Sequence, residues 1–268
     1  MTQYQPVTAA AMSPRARIAR AFGRSAASYD AHADLQRAVA DRLLTMLPLP
    51  MTCKVMLDLG CGTGYCTQRL RALAPGIDLL ALDLAEPMLQ RARRAAADAL
   101  PLCADAQQLP LRAQSIDVIV SSLTIQWCSD YGALFSELQR VLKPGGVALL
   151  STLGPRSLHE LRAAWSGIDD GAHSNQFVAA PVLTAAAAAA GFAVQCTPEV
   201  RVHHHESLRA LAQELKGLGA NAVLQPALRT VSPAAFRAAE AAFARGRTAL
   251  GVPVQWEVIY LQLQRSNP

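Results

Sequence analysis

The chain has no long hydrophobic run. None of its apolar stretches approaches the roughly 18 consecutive apolar residues that cross a membrane, although hydrophobic residues make up 51% of the sequence. The first 14 residues also lack a charged segment followed by an apolar one, which is the pattern of an export signal. We therefore expect a cytoplasmic protein with no membrane association. Its 268 residues suit one α/β domain with insertions.

Paired cysteines are lacking as well. No two cysteines form a C-x-x-C pair and no spacing repeats, which favours reduced thiols over disulfides or zinc ligands. His203, His204 and His205 resemble a metal-binding tract, but neighbouring residues of a strand point to opposite faces. We expect no metal. The six cysteines are Cys53, Cys61, Cys66, Cys103, Cys128 and Cys196.

Lysine is scarce, with three residues, and the net charge of +5 is unevenly placed. Residues 1–50 carry six basic and three acidic residues, 51–200 carry eleven and thirteen, and 201–250 carry seven and three. The basic residues are not interleaved with aromatic ones, so we do not expect a nucleic-acid partner. An acidic protein partner would fit the two basic ends. A scattered, solvated surface is the alternative.

A glycine-rich segment follows an apolar run. The run ends in Asp58, and Gly60, Gly62 and Gly64 follow it as G-x-G-x-G. Apolar residues at helical spacing come next, so the unit reads as strand, glycine turn and helix. A dinucleotide fingerprint requires G-x-G-x-x-G, and the sixth position here is Tyr65. The compact spacing with a preceding acid is the pattern of S-adenosylmethionine (SAM) methyltransferases.

Acidic residues end two further predicted strands. Asp83 follows an apolar run over 77–82, 25 residues after Asp58, and Asp105 follows a run over 100–104. In a doubly wound sheet such residues share the edge where ligands bind. Asp83 could accept hydrogen bonds from ribose hydroxyls, and Asp105 with Ala106 could meet an adenine amine. Each acid alone could be a strand-end cap, but three in register favour a nucleoside site.

We expect a core with two helical additions. Helical spacing predicts an N-terminal cap over 1–50, broken near Tyr29. Residues 51–200 form the predicted SAM-binding core, with strands over 77–82, 100–104, 116–120, 147–152 and 192–197 and helices over 131–141, 157–165 and 184–190. Residues 201–250 form a lid insertion with helices over 206–219 and 232–248, the second opening at Ser232-Pro233. Residues 251–268 supply a last strand over 256–264.

Several elements together resemble the malonyl-acyl-carrier-protein O-methyltransferases of biotin synthesis. The resemblance covers about residues 18–260. It is carried by residues 21–30, 32–33, 35–37, 122–128 with Gln126-Trp127-Cys128, 151–153, 157–165, the His173-x-Asn175-x-Phe177 element and 215–220. One departure is Gln225-Pro226-Ala227, where a glycine-containing turn is expected after the first lid helix.

The resemblance implies a Rossmann-like class I SAM-dependent methyltransferase with a mostly parallel seven-stranded sheet. It implies methyl transfer to the free carboxylate of a malonyl group on an acyl carrier protein, or on coenzyme A. Because that carboxylate is ionised at neutral pH, no general base is needed. The cofactor residues expected are Asp58, Gly60, Cys61, Gly62, Gly64, Asp83, Leu84, Met88, Asp105, Ala106 and Ser121. Cys61 is expected to be a small filler of the turn and not a nucleophile.

The acceptor site has five candidates, each with a plainer interpretation. Tyr29 and Trp127 could close over SAM and the acceptor, or be ordinary core aromatics. Arg162 lies three residues after His159, so the two share a helix face and could clasp the malonyl carboxylate. Arg162 could equally be a surface residue of the helix. His173, in a polar segment, could be a second donor.

Two other functions fit the same core. A methyltransferase acting on a phenol or quinone precursor should have a general base and an apolar lid. A SAM-binding protein without catalytic activity would keep the motif and lack the chemistry.

Overall fold

The computed structural model describes residues 12–48, 53–168, 172–220 and 231–266. Gln225-Pro226-Ala227, Arg229, and residues 169–171 of the polar segment lie outside the described residues.

A seven-stranded sheet forms the centre of the molecule, in the order β3-β2-β1-β4-β5-β7-β6. Strands β1 to β5 pair in parallel, and β7 runs antiparallel to both β5 and β6. The predicted doubly wound, mostly parallel arrangement is confirmed. The strands are β1 (Val55–Leu59), β2 (Asp78–Asp83), β3 (Leu100–Cys103), β4 (Ile116–Ser122), β5 (Leu142–Leu153), β6 (Phe192–His205) and β7 (Val252–Arg265).

Nine helices are described around this sheet. They are α1 (Pro14–Ser25), α2 (Asp34–Leu44), α3 (Tyr65–Leu73), α4 (Glu86–Ala95), α5 (Tyr131–Val141), α6 (His159–Trp165), α7 (Ala180–Ala189), α8 (Leu208–Gly217) and α9 (Pro233–Ala244). A short 3-10 helix, Tyr29–His32, lies between α1 and α2, and a second one, Ile125–Trp127, lies between β4 and α5.

Two apolar layers cover the sheet because successive strand residues face opposite sides. On one side Met56, Val118 and Leu149 pack with helices α2, α3, α4, α6, α8 and α9. On the other, Leu57 and Ile119 pack with α5 and α7. The nearly continuous apolar runs of β1 and β4 follow from this burial on both faces.

Several helix starts carry the side-chain caps that the sequence indicates. Ser232 Oγ accepts the backbone N–H of Ala235 at 3.1 Å, which confirms the predicted start of α9 at Ser232-Pro233. Asp130 caps α5 in the same way, with Oδ1 2.9 Å from the nitrogen of Ala133.

The strands near the carboxyl terminus are longer than expected. β6 continues from the predicted end at Thr197 to His205, and β7 begins at Val252, before the predicted start at Trp256. β5 begins at Leu142, five residues before Val147. The helical part of the lid therefore lies between the two longest strands. We call residues 206–251 the lid segment.

The N-terminal helices contact the lid segment directly. Ser25 Oγ donates to the carbonyl oxygen of Lys216 at 3.2 Å, and Ser28 Oγ donates to that of Gly217 at 3.0 Å. The two additions thus meet over the same edge of the sheet. Among the described residues, no helix combines the length and apolar character needed to cross a membrane.

Candidate functional site

The glycine turn is fastened to the end of β2. The backbone N–H groups of Gly60 and Cys61 donate to the carbonyl oxygen of Leu82 at 2.7 and 2.9 Å. The N–H of Gly62 donates to Asp83 Oδ2 at 2.9 Å. Gly62 and Gly64 have φ values of +55° and +96°, so the turn uses backbone conformations that favour glycine.

Asp83 supports this turn and faces a cleft. Its second oxygen, Oδ1, accepts the N–H of Ala85 at 2.8 Å. Burial raises the pKa of the Asp83 carboxyl, while the backbone donors oppose that shift. A carboxylate offers about four lone-pair sites, so Asp83 retains acceptor capacity for ligand hydroxyls.

Asp105 lies at the adjacent strand end and is covered by α1. Asp105 Oδ1 accepts the N–H of Gln107 at 2.8 Å, and Arg15 Nε lies 2.6 Å from Oδ2. Arg15 had no signal in the sequence, because the contact joins segments 90 positions apart. It places the first turn of α1 over this end of the cleft.

The strand-end cleft has a volume of about 910 Å³ when the open solvent at its mouth is included, and it is bounded by the ends of β1, β2 and β4, the residues after β3, and α1. Seven predicted cofactor residues line it: Gly60, Gly62, Asp83, Leu84, Met88, Asp105 and Ala106. A Cβ built on Gly62 meets no atom within 4 Å, so the turn borders open space there. A smaller glycine-loop pocket adjoins it, and Cys61, Gly60 and Gly62 line this one.

The other three predicted cofactor residues have supporting positions. Thr67 Oγ1 donates to Asp58 Oδ2 at 2.6 Å, which ties α3 to β1, and Asp58 is 1% exposed. Burial raises the pKa of Asp58 to about 7. Ser121 Oγ donates to the carbonyl oxygen of Leu59 at 2.7 Å. A Cβ on Gly64 would lie 2.9 Å from Ala92 Cα, so Gly64 permits close packing of α3 on α4.

A larger lid cavity, with a volume of about 1530 Å³ including the open solvent at its mouth, lies beneath α8 and α9. Apolar side chains dominate its lining, and none of the described lining residues is Asp, Glu, Lys or Arg. The polar lining consists of Tyr29, Gln36, Gln126, His173, Ser174 and Asn175.

Two aromatic candidates stand where the two cavities meet. Tyr29 and Trp127 line both the strand-end cleft and the lid cavity, together with Phe22 and Leu123. The rings of Phe22 and Trp127 meet edge to face, with centroids 5.1 Å apart. Burial, followed by the negative charge of Asp83, raises the pKa of the Tyr29 phenol, which stays protonated at neutral pH.

His173 lines the lid cavity on an aromatic support. Its ring is stacked on Trp165 with centroids 3.7 Å apart and planes 7° apart. Trp165 in turn meets Phe236 of α9 at 6.2 Å. The stack restricts the plane of the His173 imidazole at the wall of the lid cavity.

His159 and Arg162 have different positions from His173. Neither is among the described residues that line the lid cavity. Arg162 donates to the carbonyl oxygens of Pro155 and Ser157 at 2.6 Å each, and burial lowers its pKa. Its Nη1 also donates to Ser174 Oγ at 3.5 Å, so the guanidinium ties the backbone at Pro155 and Ser157 to the segment that carries His173. The clasp of a malonyl carboxylate by His159 and Arg162 stays a prediction.

Sequence reasoning missed two further lining residues, Gln36 and Arg37. Arg37 lines the glycine-loop pocket, where its guanidinium donates to the carbonyl oxygen of Asp30 at 2.7 Å. Both residues lie in the 35–37 element, which was used only as a family marker. Over the described ranges, no group of three or more His, Cys, Asp or Glu side chains is arranged to hold a metal ion.

Comparison with known proteins identifies the family. A model described as "Methyltransferase domain" matches residues 57–150. The malonyl-acyl-carrier-protein O-methyltransferase of Dechloromonas aromatica is 37% identical over 257 residues, covering 94% of this chain and 95% of the relative. This chain belongs to the malonyl-acyl-carrier-protein O-methyltransferase family.

A further curated relative matches the chain, and a solved structure matches its fold. The biotin biosynthesis bifunctional protein BioHC of Cellvibrio japonicus is 41% identical over 261 residues, covering 96% of this chain and 51% of the relative. The chain therefore spans about half the length of such bifunctional relatives. Phosphoethanolamine N-methyltransferase 2 of Haemonchus contortus, solved with S-adenosylhomocysteine, matches in fold with a TM-score of 0.59 at 17% identity, covering 96% of this chain and 61% of that one.

The fold is that of class I SAM-dependent methyltransferases. The strand-end cleft fits such a cofactor in the chemistry of its lining. Asp83 and Asp105 supply acceptors for hydroxyl and amine groups, and the space beside Gly62 admits a ligand against the backbone. The glycine-loop pocket extends the cleft past Tyr29.

Proposed function

We propose that this protein transfers a methyl group from SAM to the free carboxylate of a malonyl group carried by an acyl carrier protein. The product is the malonyl methyl ester that primes pimeloyl and biotin synthesis. Family membership supports the activity, because the Dechloromonas aromatica relative carries this name and matches almost the whole chain.

The observation that carries the proposal is the joining of two unlike cavities. The strand-end cleft offers carboxylates and backbone at strand ends, as a nucleoside needs. The lid cavity is larger, mostly apolar and bordered by the lid segment, as a thioester on a long arm needs. They share Tyr29 and Trp127, so a methyl donor and an acceptor bound in each would meet there.

The cleft residues have binding and orienting roles. Asp83 would accept the ribose hydroxyls and Asp105 the adenine amine, and Asp58 would hold the turn through Thr67. Bound SAM supplies an activated methyl group. Such contacts contribute by placing the reacting atoms together, which converts a bimolecular encounter into a local one.

No proton has to move in the acceptor cavity. The malonyl carboxylate is ionised at neutral pH, so the oxygen–methyl bond can form as the methyl–sulfur bond breaks. Burial raises the pKa of Tyr29, so its phenol stays protonated, can donate a hydrogen bond to the carboxylate and does not act as a base. His173, steadied by Trp165, would be a second donor. Apolar walls would remove water from the carboxylate and expose its charge.

Arg162 is better placed to support the wall of the lid cavity than to bind the malonyl carboxylate. Its bonds to Pro155 and Ser157 hold the turn that carries Leu158 into the lid cavity. Leu158 has a φ of +59°, an unusual value for leucine, so the turn needs such support. We assign Arg162 to maintaining the cavity wall.

We infer that the carrier protein docks at the outer face of the lid segment. Lys216, Arg237 and Arg245 are exposed there, whereas the residues of α8 and α9 that line the cavity are apolar. Acidic carriers would be steered by this outer charge. We place the reaction in the cytoplasm, since all six cysteines are free thiols.

The rival phenol or quinone methyltransferase is favoured by one observation. The inner side of the lid segment is apolar, with Leu208, Leu215 and Phe236 at the cavity. The basic outer surface therefore does not exclude that function.

An acceptor comparison separates the two functions. Release of S-adenosylhomocysteine would be measured with malonyl-carrier protein, acetyl-carrier protein and a simple catechol under the same conditions. We expect turnover with the malonyl form alone, because an acetyl thioester has no ionised oxygen. Turnover with the catechol and none with malonyl-carrier protein would overturn the proposal.

A further inference from the structure

Gln36 lies at the point where the lid cavity meets the glycine-loop pocket. Gln36 and Tyr29 both line the lid cavity and the glycine-loop pocket. Gln36 belongs to α2, whose Leu35 and Val39 are 2% and 0% exposed and anchor the helix in the core. The side chain therefore projects from a rigid element, as a residue that orients a ligand should.

The amide of Gln36 is not satisfied by the protein. Its Oε1 atom is buried and has no hydrogen-bond partner among the residues that the structure describes. Buried polar atoms are nearly always bonded, so an exception calls for an explanation. Gln126 provides the contrast. It lines the same cavity, but its Nε2 donates to the carbonyl oxygen of Leu123 at 2.6 Å and its Oε1 accepts from Thr152 at 3.2 Å.

One other buried polar atom of the lid-cavity lining lacks a partner in the described part of the chain. This is Nε1 of Trp256, a residue that is 4% exposed. Trp256 lines the lid cavity alone, whereas Gln36 also borders the glycine-loop pocket. Of the two residues, Gln36 is the one that lies between the proposed sites of the methyl donor and the methyl acceptor.

The chemistry of an amide suits an ionised acceptor at this place. The Nε2 end of the amide carries two N–H donors and, unlike Oε1, is not a buried atom without a partner, so it can reach a ligand in the cavity. A neutral donor can hold one lone pair of a carboxylate oxygen without the full countercharge of an arginine. The remaining lone pairs stay free for attack.

We propose that Gln36 contacts the acceptor directly, donating a hydrogen bond from Nε2 to the malonyl carboxylate and orienting the attacking oxygen toward the methyl group. This inference rests on the proposed function. It assigns a substrate-binding role to a residue that neither the glycine motif nor the acidic strand ends indicated.

The test compares Gln36→Met and Gln36→Glu with a surface control, Gln90→Met. Gln90 is exposed on α4 and lines none of the three cavities described. For each protein, kcat with malonyl-carrier protein, the Kd of S-adenosylhomocysteine and the melting temperature are measured. We expect Gln36→Met to lower kcat about ten- to hundredfold, the effect of losing a hydrogen bond to a charged group. Its Kd should stay within about twofold of wild type, and its melting temperature should not fall, because an unpaired buried atom is removed.

The pH profile of Gln36→Glu separates a direct contact from a packing effect. An ionised glutamate would repel the malonyl carboxylate, and burial beside that charge raises its pKa. We expect its kcat to lie below that of Gln36→Met at pH 8 and to approach it as the pH falls toward 6. The ratio of the kcat values of Gln36→Glu and Gln36→Met at each pH removes the effect of titrating groups that both variants contain. The titratable residues lining the two cavities are Tyr29, Asp30, Arg37, Cys61, Tyr65, Cys66 and His173.

The contrary outcomes are distinct. A loss of S-adenosylhomocysteine affinity of tenfold or more with unchanged kcat would place Gln36 on the cofactor and overturn the inference. A lowered melting temperature with wild-type kinetics, or a ratio that does not change with pH, would make it a structural residue and also overturn it. If wild-type protein does not methylate malonyl-carrier protein, the proposed function falls and this inference with it.

Discussion

Substituting alanine for Gly64 should mainly lower stability, whereas substituting alanine for Gly62 in the same turn should mainly weaken SAM binding. Gly62 and Gly64 both have positive φ, so alanine costs about 1–2 kcal/mol of backbone strain at each. A Cβ at Gly62 meets nothing within 4 Å, whereas one at Gly64 lies 2.9 Å from Ala92 Cα and 3.1 Å from Ala95 Cβ. Overpacking of that kind costs a further 1–3 kcal/mol.

Gly64→Ala should therefore destabilise the protein by about 2–5 kcal/mol, and Gly62→Ala by about 1–2 kcal/mol. At roughly 2–4 °C per kcal/mol, these are melting-temperature losses of about 4–20 °C and 2–8 °C. Gly62→Ala should lose SAM affinity by tenfold or more, because its methyl group fills space that borders the strand-end cleft.

The assay is a thermal melt without ligand, followed by calorimetric titration with SAM at a temperature where every variant is folded. Gly76→Ala is the matched control. Its φ is +89°, its Cβ also meets nothing within 4 Å, and it lines none of the three cavities described, so it reports backbone strain alone. Wild-type SAM affinity in Gly62→Ala would refute the assignment of this turn to the cofactor. Equal melting losses in all three variants would refute the packing argument.

Three further predictions follow from the acids and from the lid segment. Asp83→Ala should weaken SAM binding by about one to two decades, since a hydrogen bond to a charged group is worth about 1.5–3 kcal/mol; unchanged affinity in calorimetry would place the ribose elsewhere. The pKa of Asp58 is about 7 when folded and about 3.9 when unfolded, so its contribution to stability is present below pH 4 and is lost as the pH rises to 7. Asp58→Asn should therefore gain up to about 3 kcal/mol relative to wild type between pH 5 and 7.5; a constant difference in chemical denaturation would contradict this. Arg237→Glu with Arg245→Glu should raise KM for malonyl-carrier protein about three- to tenfold at low salt and leave malonyl-coenzyme A nearly unchanged; equal responses would refute docking on this face.

Much of the fold could be predicted from short-range patterns in the sequence. Strand ends marked by Asp83 and Asp105, the G-x-G-x-G turn and the Ser232-Pro233 helix start are short-range signals, and each lies where it was expected. The strand β5 was predicted too short because Pro144, Gly145 and Gly146 are turn residues by local rules. In the structure Leu142 pairs with Ile116 and Val147 with Val118, so these three residues form an irregularity inside β5 and do not end the strand.

The site was harder to predict where the positions of its residues depend on long side chains or on contacts between distant segments. Helical spacing placed His159 and Arg162 on one face, but the guanidinium of Arg162 bends back to Pro155 and Ser157. The start of α7 near Pro181 was missed, although proline at the first turn is a usual helix start. Arg15 and Gln36 gain their positions from contacts across the fold, which no local pattern contains.

The most direct test is to locate the transferred methyl group. Malonyl-carrier protein would be incubated with SAM and the purified protein, and the intact carrier and its ejected pantetheine fragment would be weighed by mass spectrometry. We expect the mass of one added methyl group, carried on the malonyl fragment and absent from acetyl-carrier protein. A carrier of unchanged mass, or a methyl group found on the polypeptide, would contradict it.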